Sequence, residues 1–233
     1  MPLKSGEGTG MSKRSKADRK GPSKPKAVEF NLTSHGVLIR ISNNPDGINF
    51  FDQKLAGYEQ QLRSMDVDYA YEVALAKIQI VMDEVTLGAR PPISCKAGCG
   101  ACCHQKVDLG TLEGEKIQKH LTDNRIEVDA GHLAKQAAAM KSGSFQTLSY
   151  DERRCVFLGE DQNCMIYGAR PLMCRRHFVQ NDPAVCRTED VSQLVMDVNP
   201  DTDAYLSAYV TRNPTMSLPE FIHESCSTLI TKK

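Results

Sequence analysis

The chain reads as mainly α-helical with a small β-hairpin, an α+β arrangement in a compact single domain that trails a disordered basic arm at its N-terminus. Three features predict it. Aromatic residues make up only 6% of the 233 and Trp is absent, so the core must be built from Leu, Ile, Val, Ala and Met, a mix that suits helices better than a β-sandwich. Val67, Tyr71, Ala74, Ile78, Val81 and Val85 follow one another at steps of four, three, four, three and four, which places them on one helix face. Val156-Phe157 and Met165-Ile166-Tyr167 are β-favouring pieces on either side of the turn-forming run Gly159 to Asn163.

Taken in order, residues 1–28 hold no apolar cluster and are rich in Lys, Ser, Gly and Pro, so they cannot bury enough surface to offset the entropy of ordering. Between Met1 and Phe30 stand eight basic residues (Lys4, Lys13, Arg14, Lys16, Arg19, Lys20, Lys24, Lys26) against three acids (Glu7, Asp18, Glu29). A weak nucleic-acid or acidic-partner contact through residues 1–28 is the functional reading of this arm; a solvated tail is the plainer one and outweighs it. Val37 to Ile41 is a β-favouring run closed by the turn cluster Asn43 to Gly47, which predicts one early strand. A helical pattern runs from Phe50 to Leu87, with Asp66 as the cap of its main helix and Gly88 and Pro91-Pro92 as its stop. Leu112 to Leu121 and Ile126 to Met140 predict two further helices. Pro171 suits the first turn of a short helix carrying Cys174, and Ser217-Leu218-Pro219-Glu220 has the form of a capping box that starts a helix toward Cys226. The expected organisation is a basic arm at 1–28, a strand and helices packing on the core at 29–90, a cysteine-cluster region at 91–190 and C-terminal helices at 191–233.

Lys and Arg total 29 and Asp and Glu total 29, so the whole chain has no net attraction to nucleic acid or to an anionic membrane. No stretch approaches the roughly 18 consecutive apolar residues that span a bilayer, and no apolar secretory h-region stands at the N-terminus, so no membrane partner is expected and the cytoplasm is the expected address. P-loop, dinucleotide-binding and His-Glu-x-x-His segments are missing, and no Ser–His–Asp arrangement stands out. No catalytic residue is assignable.

The chemistry lies in the nine cysteines, a number that points to metal or redox use in a reducing compartment. The first group reads Cys95-Lys-Ala-Gly-Cys99-Gly-Ala-Cys102-Cys103-His104. Wound into a helix, its sulfurs would stand at about 0°, 40°, −20° and 80°; Gly98 and Gly100 favour a knuckle-like loop instead. Both geometries converge the thiols, and a Cys-x-x-Cys turn suits ligation at about 2.3 Å. Neighbouring side chains diverge, so one of Cys102 and Cys103 serves a second metal or is a buried thiol. The second group carries Cys155, Cys164 and Cys174, with Cys186 a weaker ligand candidate after the break at Asn181-Asp182-Pro183. Four thiolates around Zn²⁺ or a [4Fe–4S]²⁺ core sum to about −2. Arg153, Arg154, Arg170, Arg175, Arg176 and His177 beside the second group, and Lys96 and His104 at the first, would stabilise that charge, though each is equally read as a surface cation.

At these residues the sequence resembles the YkgJ-type cysteine-cluster family, a zinc- or iron-chelating domain. The resemblance rests on Cys95-x3-Cys99-x2-Cys102-Cys103, Cys155-Val-Phe-Leu, Cys164-Met-Ile-Tyr167 and Arg170-Pro171-x2-Cys174-Arg175. It implies a chelating set of Cys95, Cys99, Cys102, Cys103, Cys155, Cys164 and Cys174, with Cys186 and Cys226 outside it. His177 stands where the family tends to have an aromatic residue, which leaves ligand and supporting roles both open for it. The flagellin lysine methylases carry a similar cysteine arrangement that implies an iron–sulfur cluster, [4Fe–4S] if the metal is iron. Zn²⁺ or an Fe–S cluster is therefore the expected cofactor, an Fe–S-dependent enzyme or redox partner the second reading, and a zinc-stabilised nucleic-acid-binding module using the basic arm the third.

Overall fold

The computed structural model describes residues 28–31, 38–41, 45–187, 199–213, 215–225 and 230–231. Of the basic arm expected at 1–28, residues 1–27 lie outside the described residues, as does Cys226. Val28–Asn31 (β1) pairs antiparallel with Leu38–Ile41 (β2), with Val28 opposite Ile41. The expected early strand is thus the second arm of a two-stranded hairpin.

Of the turn expected at Asn43 to Gly47, the described part, Pro45 to Gly47, instead begins a helix, Pro45–Leu62 (α1). Proline needs no amide partner in a first turn, and Asp46 there complements the helix dipole, so residues that usually punctuate the chain start an element here. The helical pattern from Phe50 to Leu87 is therefore two helices. Val67–Thr86 (α2) is capped by Asp66, whose carboxylate accepts from Tyr69 N at 3.1 Å, and it ends at Gly88, where φ is 74°. Ala70, Tyr71, Ala74, Ile78 and Val81 form its buried face.

Asp108–Gly110 (β3) leads into Thr111–Asn124 (α3), which stops where Arg125 turns left-handed at φ 51°. The next helix starts later than the Ile126 onset read from the sequence. Val128–Asp129 (β4) is extended, and the Asp129 carboxylate accepts from His132 N at 2.9 Å to cap Ala130–Lys141 (α4). Leu172–Arg176 (α5) follows Pro171, as the short helix expected to carry Cys174. Pro200–Arg212 (α6) starts on Asn199, whose side chain accepts from Thr202 N at 3.0 Å. Thr215–Ser217 (β5) pairs antiparallel with β3, and Leu218–Ser225 (α7) begins at Ser217, whose Oγ accepts from Glu220 N at 3.4 Å, one half of a capping box, while its hydroxyl donates to the Glu220 carboxylate. Ile230–Thr231 (β6) lies parallel to β4.

Two apolar clusters organise these elements. The first joins α1, α2, α5 and α6 through Leu62, Tyr71, Ile78, Leu172, Phe178, Tyr205 and Tyr209. Burial of these side chains is the main favourable term, each contributing about 1.5–3 kcal/mol. The second joins α3, α4 and α7 through Ile117, Leu121, Leu133 and Ile222, and takes in Phe157 and Ile166 from the segment between α4 and α5. That segment, with the first cysteine stretch, lies between the two clusters. Arg176 on α5 reaches Asp203 on α6 with Nε–Oδ1 2.6 Å and Nη2–Oδ2 2.8 Å, a buried two-pronged ion pair that fixes α5 to the first cluster. Among the described residues no helix is long and apolar enough to cross a membrane.

Candidate metal centre

Ser94 brings the chain into the site. Its N–H donates to Val179 O at 2.7 Å and its hydroxyl to Gln180 O at 2.9 Å, so the strand entering the first cysteine stretch lies against the strand leaving α5. From Cys95 to Gly100 the backbone forms a knuckle, and only Ala101–His104 tightens into a 3-10 turn. Of the two geometries the spacing allowed, the glycine-dependent one is present. Gly98 takes a φ of 78°, strained for any residue with a Cβ, and its N–H donates to Asn163 Oδ1 at 2.9 Å in the second stretch. At Gly100 the requirement is space: a Cβ would stand 2.7 Å from Gln162 Oε1 and 2.9 Å from a Leu158 methyl.

The second stretch is bonded directly to the first, with Cys155 N donating to Cys103 O at 2.7 Å. The predicted hairpin is reduced to a single bridge, Leu158 with Cys164, because Gln162 adopts a φ of 64° and the Asp161 carboxylate accepts from Asn163 N at 3.0 Å, which closes the turn early. Met165 N to Phe157 O at 2.8 Å and Gly159 N to Asn163 O at 2.9 Å complete it, with Cys155 and Cys164 near its base. Cys174 is set by Glu113 on α3. One Glu113 oxygen accepts from Leu172 N at 2.7 Å, in the first turn of α5, and the other from Gly110 N at 2.9 Å. Gln136 on α4 likewise donates to Glu152 O and Arg154 O, both at 2.8 Å, and holds the segment that leads into Cys155. Neither Glu113 nor Gln136 was found from sequence. Both are polar side chains on buried helix faces, and the only local signal was the spacing of Glu113 from Gly110, which fits an N-terminal cap but says nothing of α5.

All eight cysteines of the described residues, Cys95, Cys99, Cys102, Cys103, Cys155, Cys164, Cys174 and Cys186, line one cavity of about 860 Å³. Lys96, Arg153, Arg170, Arg175 and His177 share its wall. Arg176 is turned to Asp203 instead, and His104 is off the wall, buried with its ring stacked on Tyr150 at 3.8 Å between centroids. Among the described residues, no three His, Cys, Asp or Glu side chains are gathered into a group that could hold one ion. The sulfurs border a shared space rather than a closed coordination sphere.

Burial dominates the electrostatics of the thiols. It pushes Cys155 and Cys186 up to about 12, and raises Cys95, Cys164 and Cys174 from the ordinary thiol value. Cys102 is raised first by its hydrogen bond with Cys103 and then by burial. Opposing this, Arg170 favours the thiolates of Cys102, Cys164 and Cys174, Arg154 that of Cys155, and Arg175 that of Cys164. Two of these cations are held in place by main-chain carbonyls: Arg154 Nη2 donates to Gly159 O at 2.7 Å, and Arg175 Nε to Arg170 O at 2.8 Å. Metal-free, Cys95, Cys102, Cys155, Cys164, Cys174 and Cys186 are held as neutral thiols; a soft cation would replace their protons, and the arginines would stabilise the anionic product. In donor chemistry the residues fit zinc or iron.

A thiol-rich cavity with cationic supports offers the donor chemistry that metal chelation uses. Residues 94–195 match the family model described as "CxxCxxCC: Putative zinc- or iron-chelating domain", the same stretch that carries the cysteine-cluster resemblance. No curated protein and no solved structure matches the chain.

Proposed function

We propose that the chain holds a thiolate-bound metal centre, zinc or iron–sulfur, in the cavity between its two apolar clusters, with Cys95, Cys99, Cys102, Cys103, Cys155, Cys164 and Cys174 as the ligand set. One observation carries this reading: cysteines up to 91 residues apart in sequence, Cys95 and Cys186, border the same 860 Å³ space. A tetrahedral zinc with sulfurs about 2.3 Å away, more than one such ion and an iron–sulfur cluster all fit within that space. When bound, such a centre supplies either a structural cross-link or an electron-accepting group. The chain's own residues hold the thiols in reach, keep cations beside them and exclude most solvent.

Anaerobic purification followed by elemental analysis and a visible spectrum tests the reading. The expected result is iron with labile sulfide and a broad brown absorption, or zinc and a colourless protein, with metal lost from Cys99→Ser and Cys164→Ser. Protein that carries no metal and takes none up, or both variants at full stoichiometry, would overturn it. Deleting residues 1–28 leaves metal uptake unchanged under this reading, and any salt-sensitive nucleic-acid binding would go with the arm.

A further inference from the structure

The thiols on the cavity wall are packed in two different neighbourhoods. Cys95, Cys99 and Cys102 pack with Cys186 round Ala101 and Val179. Cys155 and Cys164 pack instead in the cluster that contains Phe157 and Ile166. His177 fastens the first neighbourhood at both ends: its carbonyl is 3.9 Å from Cys95 Sγ and its Nε2 is 4.0 Å from Cys186 Sγ. Val179 N donates to Cys95 Sγ at 3.5 Å, and Gln105 Nε2 to Cys186 O at 3.0 Å, so Cys186 is as firmly placed there as the residues of the first motif. In the second neighbourhood the Cys103 carbonyl is bonded to Cys155 N, and Cys174 lies within electrostatic range of Cys155, of Cys102 at the boundary and of Cys164.

The adjacent pair Cys102-Cys103 falls at the boundary. Side chains of consecutive residues diverge, so two neighbouring sulfurs reach one ion only with strain, whereas they serve two neighbouring ions without it. Cys102 is within electrostatic range of Cys95 and Cys186 on one side and of Cys155, Cys164 and Cys174 on the other, so the two neighbourhoods lie side by side.

We propose that the eight cysteines form two adjacent four-thiolate sites, one of Cys95, Cys99, Cys102 and Cys186, the other of Cys103, Cys155, Cys164 and Cys174. The proposal rests on the reading above that this cavity takes a soft metal, and it adds Cys186 as a ligand. Each site takes a divalent ion by releasing four thiol protons to solvent, four neutral thiols and M²⁺ giving an M(SR)₄ centre of charge −2. Arg170 favours the thiolates of Cys164 and Cys174 in the second set as well as that of Cys102 in the first, and Arg154 favours that of Cys155, so the second site has the larger share of compensating charge.

Anaerobic titration of the chelator-stripped full chain with Co²⁺ tests this, because thiolate-to-cobalt charge-transfer and ligand-field bands report the number of four-sulfur sites. The wild type should take up two equivalents with four-sulfur spectra. Cys186→Ala and Cys95→Ala should each lose one such equivalent, and their double variant should lose no more than either alone. Cys174→Ala should lose the other, and Cys186→Ala combined with Cys174→Ala should lose both. A single equivalent in the wild type, which needs no variant to fold, overturns the proposal. So does Cys186→Ala with both four-sulfur bands intact, and in each case metal binding itself stands. A wild type that binds no Co²⁺ sinks the reading beneath it as well.

Discussion

The unit of α1, α2 and α6 and the cysteine region are held together by different means. In the first, helices of 18, 20 and 13 residues bury continuous apolar faces against one another, with Tyr58 and Tyr205 in edge contact at 5.0 Å and Lys54, Lys77 and Tyr58 converging on Asp201. Regular spacing supplies the core, and the polar groups decorate its rim. In the second, the chain between Ser94 and Cys186 around the cavity runs through a knuckle, 3-10 turns and a five-residue helix, tied by single hydrogen bonds such as Cys155 N to Cys103 O. Short irregular segments gain little from their own hydrogen-bond ladders, so their order depends on cross-links. The contrast teaches where a bound metal matters: it does for the cysteine region what apolar periodicity does for the helices.

Removing the metal is the sharpest way to break this contrast. Structural zinc in small domains contributes apparent free energies of about 10–16 kcal/mol, so chelation should collapse protection of amides in the irregular stretches 94–107 and 145–187 and leave the α2 interior largely protected. Hydrogen exchange measured with and without chelator reads both regions at once, and uniform loss would deny the division of labour.

A smaller effect is expected at Glu113, the residue that couples α3 to the site. Glu113→Gln keeps its shape but leaves only one carbonyl oxygen for two amide donors, which should cost about 1–3 kcal/mol, with the loss seen in Tm and in a weakened metal affinity. The pH dependence separates this from simple repacking. Burial raises the Glu113 carboxyl, against the pull of its two amide donors, so in the folded state it holds its proton more tightly than in the unfolded state. Its contribution is complete below about 4.3, the unfolded value, and drains as pH rises through the displaced folded value. The Gln variant, which cannot ionise, should lack that slope in denaturation measured across the acid range; an unchanged slope would assign it to another group.

The smallest effect belongs to the helical unit. Asp66→Ala removes the bond to Tyr69 N and should cost about 1 kcal/mol, lowering Tm by a few degrees without changing metal content. A change in metal content would show that the two regions are coupled more tightly than their packing implies.

What was legible in the residues follows the same line. The α2 face, its Asp66 cap, the stop at Gly88, the paired helices α3 and α4 and the Ser217 capping box were all readable, because each is set by neighbours within a turn or two. The helical α6 had no readable stripe: Thr202 to Val210 are all buried, and a helix surrounded on every side shows no amphipathic period. Pro45 to Gly47 were misread as a turn for the opposite reason, since residues that punctuate also initiate. The cysteines announced soft-metal chemistry by their type and density alone.

Covalent spacing thus determines where thiol donors are concentrated and which faces of the longer helices turn inward, since both depend on a repeat a few residues long. Only the folded chain decides that Cys186 stands beside Cys95, that Glu113 anchors the helix of Cys174, and that His104 backs the motif instead of facing the cavity. Those relations join residues dozens of positions apart, and the forces that choose them, burial of shared apolar surface and satisfaction of buried polar groups, act on distances in space that no local pattern records.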